Sequence, residues 1–268
     1  MKNSVLKVRQ KFLKFIPPAE LWVSFLLGFS AIAGIWGSEI FAGELRVNFD
    51  DGTRGSLDLF LGPTDNPADQ NPAFTVIIEN GQVVFIAPAG NPGPRMTGFL
   101  EPPKIMYPMK GNLTISWTFP KVEELLGLGK GNGPNMGGAG FYIRSEFDFQ
   151  ARKGHWAGGM LGDYWFGYVF ENGQSLSVIR QGRENLRAEP FAAQKQVSYR
   201  IEKKGPALRL FANYDNQGWH QVGREVQIAL NPGGSDAVAM SHLRVLDVSG
   251  AAIRVTADDF VWAGEALP

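Results

Sequence analysis

Glu146-Phe147-Asp148-Phe149-Gln150 is the segment whose residue types come nearest to acid–base chemistry. Side chains alternate along a strand, so Glu146 and Asp148 point to one face. Two carboxyl groups about 5 Å apart across a glycosidic bond are what a retaining glycosidase needs, one as nucleophile and one as acid and base. The plainer alternative is a wetted strand face made by Tyr142, Arg144, Glu146, Asp148 and Gln150, with Arg144 pairing an acid. That alternative is favoured, so Glu146 and Asp148 are expected to be non-catalytic.

Sugar binding asks for less. An aromatic platform stacks on the apolar face of a pyranose while polar neighbours select its hydroxyls. Tyr142, Trp156, Tyr164 and Trp165 lie near the polar strand in sequence and could supply that platform. Alternation requires about half of them to face a core instead.

Three acid-rich turns suggest a hard cation: Asp50-Asp51-Gly52, the turn from Asp65 to Asp69, and Asp258-Asp259. None has the spacing of an EF-hand loop, and aspartate in turns needs no metal to explain it. No cofactor is expected, calcium being the alternative. Gly129-Lys130 has no Ser or Thr after the lysine, so a phosphate-binding loop fails. Asn112-Leu113-Thr114 has the form of a glycosylation sequon and reads more simply as the start of a strand. His155, His220 and His242 are scattered, which suggests neither a catalytic triad nor a histidine-rich metal centre.

Composition agrees with a β domain. Acids and bases balance at 26 each, so no strongly basic surface points to nucleic acid. Cysteine is absent, which excludes disulfides and thiolate metal sites without opposing export. The 33 glycines and 17 prolines, with many aromatics, fit short strands joined by tight turns.

Alternation predicts strands over residues 44–49, 56–61, 74–78, 82–86, 113–119, 141–149, 164–170, 175–179, 197–202, 208–213, 221–226, 241–248 and 253–262. Asn80-Gly81 and Asn172-Gly173 mark hairpins, because both residues accept positive φ. Residues 122–128 suit one or two helical turns. Residues 87–107 and 129–140 are expected to be loops, the second flexible. These strands, with no long helix, predict an all-β, two-sheet antiparallel sandwich in one domain.

The run RLFANYDNQGWHQ ending at Gln221 leads from a strand through a turn into a tryptophan. IRVTADDFVW, residues 253–262, has the form of a closing strand with paired aspartates before phenylalanine. Together they resemble exported domains of the concanavalin A-like lectin/glucanase superfamily, over roughly residues 112–264. The resemblance implies a jelly roll of two curved sheets whose concave face often binds sugars. In its laminarinase-like members three acids share one strand in an E-x-D-x-(x)-E arrangement. Glu146 would match the nucleophile and Asp148 the middle acid, but Gln150 and Ala151 occupy the two positions for the last acid. Neither donates a proton as a carboxylic acid does.

Location is read from the N-terminus. Val5, Val8, Phe12 and Ile16 recur at helical spacing opposite Lys7, Lys11 and Lys14, which suits an anionic membrane surface. Pro17-Pro18 ends that segment. Leu21 to Ser38 carries no charge and would rise about 27 Å as a helix, close to a hydrocarbon core of roughly 30 Å. Cleavage after Ala31-Ile32-Ala33 is the competing expectation. A retained anchor is favoured by the length of the apolar run and by Trp22 and Trp36 near its ends. The small residues Ser24, Gly28, Ser30, Gly34, Gly37 and Ser38 would let a second membrane helix approach closely.

The expected organisation is a cytoplasmic basic segment at 1–18, a transmembrane anchor at 19–42 and an exported sandwich at 43–268. The favoured role is a single-pass, non-catalytic accessory subunit or interaction module in the periplasm or outside the cell. Its partners would be membrane lipid and other transmembrane subunits. The alternative is an envelope carbohydrate-binding module or glycosidase-like enzyme whose partner is a glycan.

Overall fold

The computed structural model describes residues 43–47, 49–50, 58–60, 75–93, 95–96, 99–101, 111–145, 163–182, 184–228, 230 and 233–265. Residues Ala42–Pro268 form one compact unit. Its first strands are β1 (Gly43–Val47), β2 (Asp58–Phe60), β3 (Thr75–Glu79), β4 (Gln82–Ala87), β5 (Arg95–Met96), β6 (Phe99–Glu101) and β7 (Leu113–Phe119). Helix α1 (Val122–Gly127) leads to β8 (Met136–Ser145), β9 (Asp163–Glu171), β10 (Gln174–Gln181) and β11 (Glu184–Pro190). Then come β12 (Val197–Lys204), β13 (Ala207–Tyr214), β14 (His220–Gln221), β15 (Val226–Gln227), β16 (Val238–Asp247) and β17 (Ile253–Gly264).

Every strand pair among the described residues is antiparallel. One sheet runs β14-β13-β12-β7-β17-β4-β3, with β1 on β17 and β15 on β13. The other runs β11-β10-β9-β8-β16-β6-β2, with β5 on β16. The chain changes sheet repeatedly, at β1–β2, β2–β3, β4–β5, β6–β7, β7–β8, β11–β12, β15–β16 and β16–β17. Consecutive strands therefore face one another across a core.

Alternation builds that core. β7 buries Leu113, Ile115, Trp117 and Phe119 and leaves Thr114, Ser116 and Thr118 half-buried on its other face. β8 contributes Ala139, Phe141 and Ile143, and β9 contributes Tyr164, Phe166, Tyr168 and Phe170. Trp117 meets Phe141 across the sheets at 4.7 Å between ring centroids, and Phe141 meets Trp262 edge-on at 5.5 Å. Such tilted aromatic pairs add to the burial of their area. Both Asn-Gly hairpins form, with φ of 53° and 73° at Asn80-Gly81 and 51° and 80° at Asn172-Gly173.

Several expectations need correction. Residues 136–140 belong to β8 and are no loop. Glycine's poor strand propensity hides a strand whose glycines are required by close backbone approach. Gly129 and Gly131 before it are held firmly: the buried Asp247 carboxylate accepts from Gly129 N (2.7 Å), and Ser249 Oγ accepts from Gly131 N (2.8 Å). The expected loop over residues 87–107 contains β5 and β6, both paired to β16. The strand expected at 221–226 is two short pieces, β14 and β15, and β11 was not expected at all. Its sequence ENLRAEP is mostly polar, with Leu186 packed against the core, as an edge strand allows. Among the described residues no helix is long and apolar enough to cross a membrane. The expected anchor at 19–42, with Ser24, Gly28, Ser30, Gly34, Gly37 and Ser38, lies outside the described residues.

Candidate functional site

The outer face of the eight-stranded sheet collects the side chains that could recognise a ligand. Tyr142 on β8 stands directly opposite Trp165 on β9, and Trp165 stands opposite Arg180 on β10. Two of the four aromatics expected to form a platform are thus brought together. Tyr164 is not among them: one residue along β9, it points into the core and is 2% exposed. Trp156 lies outside the described residues, as do Glu146 and Asp148.

Next to this row comes one whose two central positions are glycines. Arg244 on β16 is opposite Gly140, which is opposite Gly167, which is opposite Val178. The row beyond it is apolar: Leu246, the site of Gly138, Val169 and Leu176. Trp165, Val169 and Val178 form a small apolar cluster with Tyr142, Leu176 and Leu246 against it. A Cβ on Gly140 would lie 2.2 Å from Phe166 O, so glycine is needed for the strands to approach. A Cβ on Gly138 would come within 3.2 Å of Trp165 Cζ2. The indole therefore leans across the glycine floor toward β8. The same ring edge carries Nε1, which is buried and has no hydrogen-bond acceptor among the described residues.

Charge frames the aromatics. The Arg244 guanidinium lies over the Tyr142 ring, 5.5 Å from its centroid. Arg180 is 6% exposed, pairs with Glu171 and donates from Nε to Asn185 Oδ1 at 2.7 Å. Sequence reasoning missed Arg180, Arg244 and the three glycines. The available signal was Gly138 and Gly140 two apart in a β-rich region, since a glycine pair on one strand face marks backbone or ring contact.

A second polar system links the sheets. Ser177 Oγ lies 2.7 Å from both Tyr199 Oη and Tyr214 Oη, Tyr214 donates to Glu189 at 2.9 Å, and Glu189 meets His220 Nε2 at 2.7 Å. Ser177 is completely buried and contacts phenols in place of the imidazole, so this chain of groups is no nucleophilic triad. Burial pushes the phenols of Tyr199 and Tyr214 up from their ordinary value, against the lowering effect of the Ser177 bond.

Two of the three acid-rich turns approach each other. A Cβ on Gly81 would lie 3.0 Å from Asp50 Oδ1, and the neighbouring Gln82 donates to Asp258 at 3.2 Å. Burial raises the Asp258 carboxyl above its usual range, and the charges of Asp259 and Asp50 add to the effect. No group of three His, Asp or Glu side chains able to hold a metal ion occurs among the described residues. The turn from Asp65 to Asp69 lies outside them.

No family model matches the chain, and no curated protein matches it in sequence. Solved structures do match in fold. Lectin I-B4 from Griffonia simplicifolia has a TM-score of 0.50 and 10% identity, covering 82% of this chain and 98% of its own. Peanut lectin gives a TM-score of 0.50 and 14% identity over 82% of this chain and 98% of its own. The chain has the concanavalin A-like jelly-roll fold that its two motifs resembled. Fold alone assigns no activity.

Proposed function

We propose that this chain is a non-catalytic glycan-binding module, held at a membrane by its N-terminal segment with the sandwich outside the cytoplasm. The observation that carries the reading is the half-buried Tyr142 ring, standing opposite Trp165 beside the glycine pair Gly140–Gly167. The Tyr142 ring offers an apolar face, and the flanking Arg180–Glu171 and Asn185 groups are suited to hydroxyls. Hydrolysis is left out of the proposal, because the sequence around Glu146 and Asp148 has Gln150 and Ala151 where a third acid would stand.

Full-length protein in detergent micelles, applied to a broad glycan array, tests the reading. Tyr142→Ala should weaken the best signal about tenfold, a loss of roughly 1.4 kcal/mol. Trp165→Phe should weaken it as well, and its ligand-free melting temperature, measured beside it, separates lost packing from lost binding. A silent array, or two variants binding as the parent does, would refute the assignment.

The accessory-subunit role expected from the small-residue face of residues 24–38 is compatible with glycan binding and is separable from it. Companions recovered from native membranes by that segment would support it.

A further inference from the structure

We infer that Trp219 is a second sugar-stacking platform, on the outer face of the nine-stranded sheet, and that it takes a pyranose ring of a neutral glycan chain. Trp219 is one of two large hydrophobic residues exposed among the described residues, at 41%. Its ring is fixed from below. The Arg200 guanidinium lies between two aromatic rings, 4.7 Å from the centroid of Trp219 and 4.8 Å from that of Phe211. With one ring face on Arg200, the exposed area belongs to the other.

The segment presenting Trp219 is rigid by construction. The Asp215 carboxylate accepts from the backbone N–H of Gln194, Lys195 and Gln196 at 3.0, 2.8 and 3.0 Å. Gln196 reaches back to Asn216 at 2.9 Å, and Gly218 N donates to Asn213 Oδ1 at 2.9 Å. Asp215 and Asn216 both sit at positive φ, 52° and 61°, a conformation that costs energy and persists only where the surroundings impose it. A pre-ordered aromatic loses little freedom on binding.

The surroundings select the ligand. Ser198 stands opposite Thr118, Arg200 opposite Ser116 and Glu202 opposite Thr114, so hydroxyls line the strand beside the platform. Thr118 and Ser198 hydroxyls meet at 2.8 Å. The charges are already paired: Arg200 with Glu202 at 3.1 Å and Arg209 with Glu225 at 2.8 Å. A polyanion finds no free cation in these pairs. A greasy protein partner finds one ring in a polar field, far short of an apolar patch. A pyranose has one apolar face for the indole and a rim of hydroxyls for Ser and Thr.

This site stands on observations separate from those at Trp165, though it shares their chemistry. Full-length parent, Tyr142→Ala, Trp219→Ala and Trp219→Phe proteins would be titrated with mixed-linkage β-glucan, xylan and mannan, and with heparin as an anionic comparison. The expected result is an affinity about tenfold lower for Trp219→Ala toward one neutral polymer, with Trp219→Phe between it and the parent. Acrylamide quenching should also fall on binding in the parent, by more than in Trp219→Ala. If Trp219→Ala binds as the parent does while Tyr142→Ala is impaired, the second platform is wrong and the first face stands. The reverse pattern upholds Trp219 and overturns the face at Trp165. Binding to heparin alone, self-association lost in Trp219→Ala, or silence with every polymer overturns this inference.

Discussion

Ser177 shows how one small hydroxyl sets the behaviour of larger neighbours. It is buried between Tyr199 and Tyr214, and each phenol relies on it for a short hydrogen bond. Burial raises the phenols of Tyr199, Tyr214 and Tyr168 above the ordinary tyrosine value of 10.0. The sign of the consequence follows from proton counting. Above pH 10 the unfolded chain releases phenolic protons that the folded one retains, so stability falls as pH rises. Below pH 10 both states keep these protons and the contribution is complete. The protein should therefore keep its melting temperature up to about pH 10 and lose it steeply beyond. Tyrosinate absorbance should rise in the same step as the loss of near-ultraviolet circular dichroism. Three tyrosines ionising in a still-folded protein would contradict this account.

At the level of strands, the most demanding contact joins β8 to β9 at the glycine pair Gly140–Gly167. The atom nearest a Cβ on Gly140 is a backbone oxygen held in the ladder, which cannot swing aside as a side chain would. Gly140→Ala should cost about 3 kcal/mol or more, through the overpacking and broken pairing that mark large destabilisations. Urea unfolding of the variant measures it, and a midpoint equal to the parent's would contradict the contact. Comparing β8 with its neighbours in sequence shows what could and could not be told beforehand. Leu113–Phe119 was legible to the residue because hydrophobic and hydroxyl side chains alternate without interruption. Both hairpins were legible because Asn-Gly sets their φ values. The first half of β8 was not, since its glycines carry no pattern and their need arises only from β9. The candidate face was half legible. Period-two counting could not place Tyr142 beside Trp165, because register across a long connection is decided by packing.

For the whole molecule, the membrane assignment depends on residues 19–42 and the glycan assignment on the sandwich, and the two can be tested apart. A segment of 18 uncharged residues that spans a bilayer resists extraction by alkaline carbonate, whereas an amphipathic or electrostatic association does not. Full-length protein expressed in its own envelope should remain in the carbonate-washed membrane pellet. Its N-terminal residue should be Met1 or the residue following methionine removal. Replacing Gly28 and Gly34 together by leucine should keep the protein in that pellet, because apolar length is preserved, while any companion helix is lost from mild-detergent pull-downs. Glycan binding by this double variant should equal the parent's in micelles, since no residue of the sandwich changes. A mature chain starting at Gly34 in the salt-washed soluble fraction would remove the tether and leave the lectin-like face to act free of the membrane.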